Sequence, residues 1–318
     1  METTLISGGA GFIGSHLCDH FLNKGHTVIC LDSLVTGNQK YIISKKNNKS
    51  FILIENDLTY MRLADFPQLH IDNILHFASP ASPQDYMKYP FITLRAGSIG
   101  TEILLELAQK HSARFLLAST SEIYGDPTIH PQKEKYWGNV NPVGPRSIYD
   151  EAKRFAESYT MAYKRYLDLD IKIVRIFNTY GPRMRLNDGR ALPNFMAQAL
   201  KGKPITIYGD GTQTRSLCYI TDLIDGIEGV IYTSYSDPIN LGSPEEITIL
   251  ELAQRIKKIS NSKSEIIFKP LPIDDPTKRC PEISIARKVL GWEPKVTLDE
   301  GLILSFSYFK QALSGEYS

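Results

Sequence analysis

Thr3-Thr4-Leu5-Ile6-Ser7-Gly8-Gly9-Ala10-Gly11-Phe12-Ile13-Gly14 begins as a short apolar run, breaks into glycines and passes into a stretch of helical period that reaches Asn23. The glycines satisfy both G-x-G-x-x-G and G-x-x-G-x-x-G. Glycine there permits a tight turn and a close backbone approach to a pyrophosphate. The helix that follows offers such an anion its free N–H groups and a partial positive charge. The motif alone is weak; a strand before it and an apolar helix after it make a unit suited to a dinucleotide. The next apolar run, Thr27 to Leu31, ends in Asp32, eighteen positions beyond Gly14. A carboxylate at that strand end can accept hydrogen bonds from both ribose hydroxyls of adenosine. It also repels a 2′-phosphate, and Ser33, Leu34 and Val35 supply no arginine to neutralise one, so NAD is expected rather than NADP.

Outward from this unit, Phe51 to Ile54, Asn73 to Phe77, Arg114 to Ser119 and Ile171 to Phe177 are further short apolar runs. Phe12 to Asn23, Ile99 to Lys110 and Tyr149 to Leu167 fit a 3.6-residue period between them. That alternation predicts βαβ units on a parallel sheet covered on both faces. The expected fold is α/β: a Rossmann-type doubly wound parallel sheet over residues 1–177, then a smaller C-terminal α/β substrate-binding portion over 178–318, the boundary interleaved. Past Phe177 the rhythm loosens through Asn178 to Asn187, with helices expected at Leu192 to Leu200, Leu223 to Tyr232 and Ile249 to Ile259. Phe155, Tyr159, Ala162 and Tyr166 fall near one stripe, either core or a subunit contact. Lys45 to Lys49 reads as a solvated polar turn.

Composition narrows the function classes. The chain has 318 residues, 42% of them hydrophobic and 22% charged, with a formal charge of +1, so it can bury a core and is neither disordered nor collagen-like. Balanced charge gives no global field for nucleic acid or an anionic membrane surface. No apolar run approaches the ~20 residues of a membrane span, and strand-like sequence follows Met1 at once, so a cytoplasmic protein is expected. Cys18, Cys30, Cys218 and Cys280 lie far apart with no C-x-x-C or Cys/His ligand spacing, which predicts neither a metal site nor a disulfide framework.

Tyr149 and Lys153 stand four apart, on one face of a helix, the spacing of a phenol and an ammonium that together deprotonate an alcohol. Tyr41 and Lys45 share that spacing in a surface-like stretch and are read as coincidence. The first pair differs in position: it opens the long helix after the fifth strand, whose end carries Ser119, Thr120, Ser121 and Glu122 at the ligand-binding edge of such sheets. A phenol near pKa ~10 is a poor base unless nearby positive charge favours the phenolate, and Lys153 would supply it. A hydroxyl of Thr120 or Ser119 would hold the substrate alcohol beside Tyr149.

These features together resemble the extended short-chain dehydrogenase/reductases. His76–Pro83 (HFASPASP), Ser119–Pro127 (STSEIYGDP), Tyr136–Tyr149 (YWGNVNPVGPRSIY), Arg175–Arg190 (RIFNTYGPRMRLNDGR) and Tyr208–Arg215 (YGDGTQTR) narrow the resemblance to the UDP-glucuronate decarboxylase (UDP-xylose synthase) family. Asp274–Pro281 (DDPTKRCP) and Leu290–Pro294 (LGWEP) carry it to the far end of the chain. The resemblance implies NAD held by Gly8, Gly11, Phe12, Ile13 and Gly14, by Asp32, Asp57, Leu58 and Ala78, and by Ser119, Tyr149 and Lys153. Asp57 could equally be a turn residue. The implied reaction oxidises C4 of UDP-glucuronate, with Tyr149 taking the hydroxyl proton. The ketone, β to the C6 carboxylate, then loses carbon dioxide; Glu122, helped by Ser121, manages the proton at C5; and hydride returns to C4. The product is UDP-xylose, with NAD regenerated. Arg190 and Arg215 would bind the diphosphate, Arg279 the sugar carboxylate or a phosphate, with Asn178 and Tyr208 as further substrate contacts. The resemblance also implies a homodimer through the helices near Ile99–Lys110 and Tyr149–Leu167.

One stretch departs from the family: where many relatives read LKTNTIGT this chain reads LRAGSIGT over Leu94–Thr101, Gly97 replacing Asn and removing a side-chain contact near the cofactor. Three rivals remain. A nucleotide-sugar 4,6-dehydratase would carry Asp where Ser121 stands, and a UDP-glucuronate 4-epimerase a small residue in place of Glu122. A silent NAD-binding module would have lost Tyr149 or Lys153.

Overall fold

The computed structural model describes residues 1–271 and 278–314. In chain order the strands are β1 (Thr3–Ser7), β2 (Thr27–Asp32), β3 (Phe51–Glu55), β4 (Asn73–His76), β5 (Arg114–Thr120), β6 (Ile171–Ile176), β7 (Thr179–Tyr180), β8 (Ile205–Tyr208), β9 (Thr214–Ser216), β10 (Cys218–Tyr219), β11 (Ile239–Leu241), β12 (Glu246–Thr248), β13 (Ile266–Lys269) and β14 (Lys278–Arg279). The helices are α1 (Phe12–Asn23), α2 (Pro83–Lys88), α3 (Pro90–Arg95), α4 (Thr101–His111), α5 (Ser147–Leu167), α6 (Ala191–Leu200), α7 (Ile220–Tyr232), α8 (Ile249–Ile259), α9 (Ser284–Leu290) and α10 (Leu298–Ser314).

Side chains alternate across a strand, so the apolar runs must feed two cores, and they do. Ile6, Cys30, Leu75, Leu116 and Val174 enter one together with Leu17 and Phe21 of α1 and Leu223 and Ile227 of α7. Leu5, Ile29, Ile74, Leu117 and Ile173 enter the other together with Leu104 and Leu105 of α4 and Ala156 of α5. The strands make a seven-stranded parallel sheet in the order β11-β6-β5-β4-β1-β2-β3. The order reverses between β1 and β4, which opens a crevice at their carboxyl ends.

The seventh strand, β11, comes from beyond residue 177, pairs with β6, and brings α7 onto the same face as α1. The chain thus crosses back into the sheet after leaving it. The smaller portion is built on β8 paired with β13, and on β9 between β12 and β14, with α6 and α8 packed beside β8.

Three expectations shift. Instead of one helix from Ile99, a π-turn over Ala96–Gly100 feeds α4. The stripe on α5 is mixed: Phe155 is 50% and Tyr166 81% exposed, Tyr159 packs half-buried against the second core, and the buried face is Tyr149, Asp150, Ala152, Lys153, Ala156 and Thr160. Lys45, expected in a solvated turn, is largely covered and pairs with Asp19 at 2.8 Å; Lys46 to Lys49 are the exposed part.

Candidate active site

The crevice begins at the glycine turn. Gly8 has φ +74°, and a Cβ there would lie 2.7 Å from the Phe77 carbonyl carbon; one on Gly14 would lie 2.1 Å from the Gly8 oxygen. Only hydrogen fits at either place, which lets α1 start close against β1 with its first-turn N–H groups free of intrahelical partners. Gly8, Gly11, Phe12, Ile13 and Gly14 line one end of a cleft of about 570 Å³. This is a cradle of the size and polarity a pyrophosphate needs.

Asp32 has a structural role beside the expected one. Its Oδ2 accepts the Ala10 N–H at 2.9 Å and its Oδ1 the Leu34 N–H at 2.8 Å, so it braces the glycine turn and the turn after β2. Burial raises its pKa against the pull of those two bonds. Each oxygen keeps a lone pair for a ribose hydroxyl. Asp32 borders a side cavity shared with Asp57, Leu58 and Ala78. There Asp57 takes its turn role, with Oδ1 accepting from the N–H and hydroxyl of Thr59, both at 2.9 Å. The residues present therefore fit NAD: a pyrophosphate cradle, a carboxylate at the ribose position and an apolar side cavity for adenine.

At the other end stands Tyr149, 6% exposed and stacked on Tyr86 of α2 with ring centroids 5.3 Å apart and planes 7° apart. Thr120 accepts the Glu122 N–H at 3.2 Å, which leaves its own proton to turn toward the phenol, whose pKa it lowers. Ser119 points elsewhere: its hydroxyl donates to Glu157 at 2.5 Å, and Glu157 is held by Arg175 through bonds of 2.9 and 2.7 Å. Of the two candidate hydroxyls only Thr120 meets the base, because neighbours on a strand face opposite ways.

Lys153 Nζ donates to the Ala118 carbonyl at 2.8 Å and lies 5.9 Å from the Tyr149 ring centroid. Burial depresses its pKa to about 8, with Glu157 pulling the other way. The expected lowering of the phenol is not achieved by the chain alone. Burial raises the Tyr149 pKa above its ordinary value, and the bond to Thr120 and the charge of Arg190 offset this only in part. A protonated phenol at neutral pH is the result.

Glu122 is also corrected. Its Oε2 meets Arg146 at 2.7 Å and its Oε1 meets Arg279 at 2.7 Å. Burial raises its pKa, but Arg279 and Arg146 outweigh burial and bring it to about 2. Glu122 is therefore a fixed carboxylate and cannot donate a proton. Arg279, 1% exposed, also donates to Ser121 Oγ at 3.2 Å and to the Gly125 carbonyl at 3.0 Å. It is thus tied to the chain through Glu122, Ser121 and Gly125 while it still lines the cleft. Asp274 to Thr277, ahead of it in the expected stretch, lie outside the described residues.

Arg190 is already bidentate to Asp188, at 2.5 and 2.8 Å, so its own pair must reorganise or share it with a phosphate. Arg215, Asn178 and Tyr208 line the same cleft as Tyr149, with Tyr208 46% exposed at the end of β8. Gly97 has a physical account: a Cβ there would sit 2.6 Å from the Ala152 carbonyl oxygen. The π-turn packs its backbone directly on α5, next to Lys153, where an Asn side chain has no room. Sequence reasoning missed Tyr86, Arg146 and Asp150. Arg146 stood in plain view three residues before the base, but nothing local announced that it would fold back onto Glu122.

Known proteins agree with this geometry. The model of the NAD dependent epimerase/dehydratase family matches residues 4–242. UDP-glucuronic acid decarboxylase 1 of Danio rerio is 48% identical over 309 residues, covering 97% of this chain and 73% of that protein. UDP-glucuronic acid decarboxylase 4 of Arabidopsis thaliana is 47% identical over 312 residues, covering 98% and 69%. A solved UDP-glucuronic acid 4-epimerase from Bacillus cereus, in complex with UDP-glucuronic acid and NAD, superposes with a TM-score of 0.85 at 30% identity, covering 98% of this chain and 99% of that one. The chain belongs to the NAD dependent epimerase/dehydratase family, in which its sequence lies with the UDP-glucuronic acid decarboxylases.

Proposed function

We propose that this protein converts UDP-glucuronate to UDP-xylose with NAD retained through the turnover. The observation that carries the reading is the Arg146–Glu122–Arg279 clamp beside Tyr149. A dehydratase needs an acid for the C6 hydroxyl, and a carboxylate held near pKa 2 between two arginines is the opposite of one. A decarboxylase needs no such acid.

Bound NAD supplies a reversible acceptor for hydride at C4. The first-turn N–H groups of α1 would hold its pyrophosphate, Asp32 its adenosine ribose, and Lys153 and Tyr149 its nicotinamide end. The positive charge of Lys153, added to that of bound nicotinamide, would favour loss of the phenol proton to solvent; Tyr149 Oη, then a phenolate, would accept the C4 hydroxyl proton and return it at the end of the cycle. Thr120, whose hydroxyl faces that oxygen, would fix the distance between base and alcohol. When carbon dioxide leaves, the electrons move into an enolate at the C4 oxygen, against the hydroxyls of Tyr149 and Thr120, which stabilise it as donors. Glu122 stays ionised throughout and orders Ser121, or a water, at C5. The proton C5 takes up comes ultimately from solvent. The chain is also proposed to work as a homodimer, a reading supported by exposed Phe91 and Leu94 on α3, which packs against α5, and by exposed Phe155 and Tyr166 on α5; light scattering at micromolar concentration should give twice the chain mass.

The decisive test is incubation with UDP-glucuronate and NAD followed by mass spectrometry of the nucleotides. Loss of carbon dioxide supports the reading. Loss of water would replace it with a dehydratase, and an unchanged mass with inverted C4 would replace it with an epimerase.

A further inference from the structure

Asp150 follows the base on α5, and the mechanism leaves it unused. It is 6% exposed, and its Oδ1 is buried without a hydrogen-bond partner. An ionised oxygen in that state is costly, so something must compensate or a proton must bind. Among the described residues, charged groups face it from several neighbouring elements. Glu122 faces it from the turn after β5, Arg146 from the segment before α5 and Arg279 from β14, with Glu151 and Tyr149 beside it on its own helix. Burial and Glu122 push its pKa up, Arg146 and Arg279 pull it down, and the balance lies at about 7.

The charge of the cluster therefore depends on this one carboxyl. A neutral Asp150 leaves the cluster of Arg146, Glu122 and Arg279 one unit more positive than an ionised Asp150 does. The C6 carboxylate of the substrate is two bonds from C4, the carbon that Tyr149 must reach, so it arrives beside this cluster. Resting on the proposed reaction, we infer that Asp150 takes up a proton as UDP-glucuronate binds, so that the sugar carboxylate meets a cluster one unit more positive, and gives it back to solvent once carbon dioxide has left. Asp150 lies behind the cleft rather than in its lining and acts through Glu122 and its two arginines, so it is a positioning residue in the electrostatic sense. The cluster would thereby select for a sugar that carries a carboxylate over one that does not.

The test is titration calorimetry on the NAD-loaded Tyr149→Phe variant, which cannot turn over. UDP-glucuronate and UDP-xylose are each titrated in two buffers of different ionisation heat. The shared diphosphate and any titration of Lys153 cancel between the two ligands. UDP-glucuronate should take up about half a proton at pH 7 and close to one at pH 8, and UDP-xylose none beyond the shared background. Its Kd should rise by up to about tenfold per pH unit above neutrality, while that of UDP-xylose stays flat. Asp150→Asn, nearly isosteric, should remove the slope and retain tight binding at pH 8. Equal proton uptake for the two ligands overturns the inference without needing the Asn variant to fold, and an Asp150→Asn protein with the wild-type slope overturns it too. Wild-type conversion of UDP-glucuronate, followed in parallel, judges the parent reaction separately. Carbon dioxide loss without the proton linkage sinks only the role of Asp150.

Discussion

Replacing Glu122 by Gln tests the central electrostatic claim, because Gln keeps the shape of the side chain and mimics its protonated form. The wild-type carboxyl moves from an ordinary 4.5 to about 2 on folding. At ~1.4 kcal/mol per unit, that depression corresponds to about 3 kcal/mol of stability at neutral pH. A folded pKa below the unfolded one means this stability is fully present above pH 4.5 and lost as pH falls through the folded value. The wild type should therefore exceed Glu122→Gln by about 3 kcal/mol at pH 7, a difference that narrows by rather less than ~1 kcal/mol at pH 4 and vanishes near pH 2. Breaking a buried pair by neutralising one partner costs a similar ~3 to 5 kcal/mol, since two guanidinium groups lose their counter-charge. Urea denaturation of the NAD-loaded proteins at pH 7 and pH 4 measures it, with equal m-values as the check that the unfolded states match. Equal stability at pH 7, or a gap that widens on acidification, would refute the clamp. The same variant should keep NAD bound, since Glu122 lies at the sugar end of the cleft.

Tyr149→Phe should abolish conversion of UDP-glucuronate while leaving NAD bound, measured by product mass and by cofactor absorbance after gel filtration; wild-type turnover would remove the phenol from its role. Thr120→Val should lower kcat by roughly 10²-fold or more while sparing the fold, whereas Ser119→Ala should spare kcat and lower the melting temperature by loosening Glu157. Reversed effects would show that the two hydroxyls have been assigned to the wrong faces. Gly97→Asn should destabilise the protein by about 1 to 3 kcal/mol, because its Cβ would press on the Ala152 carbonyl; a stabilised variant would mean that the π-turn can retreat from α5.

What was legible in the sequence was local. The turn at Gly8–Gly14, the carboxylate at Asp32 and the Tyr149–Lys153 pair each declare their geometry within a strand and a helix, and their elements stand where periodicity put them. Phe12–Asn23 and Ile249–Ile259 match to the residue, because apolar period and flanking breakers decide helix limits within a few residues of chain. Which way a strand-end hydroxyl points was not legible in the same way. Ser119 and Thr120 are chemically near-equivalent candidates until the partner helix supplies Glu157 to one and Tyr149 to the other.

The ion clamp was hidden for a further reason. Ser121 and Arg279 meet across 158 residues of sequence, and Glu122 meets Arg279 in the same knot. Arginine is attractive to any anion, so a chain read without coordinates hands each Arg to the phosphates of the ligand. In the folded protein the carboxylates of Glu122 and Asp188 have claimed Arg279 and Arg190 first. Those internal pairs tie both guanidinium groups to the chain itself. They also hold Glu122 ionised, and so leave the neighbouring Asp150 as the group whose proton can answer to the charge of the sugar. Substrate discrimination in this site is therefore expected to follow the protonation of a carboxyl that lies behind the cleft rather than in its lining. It should be read in the pH dependence of binding rather than in any single contact.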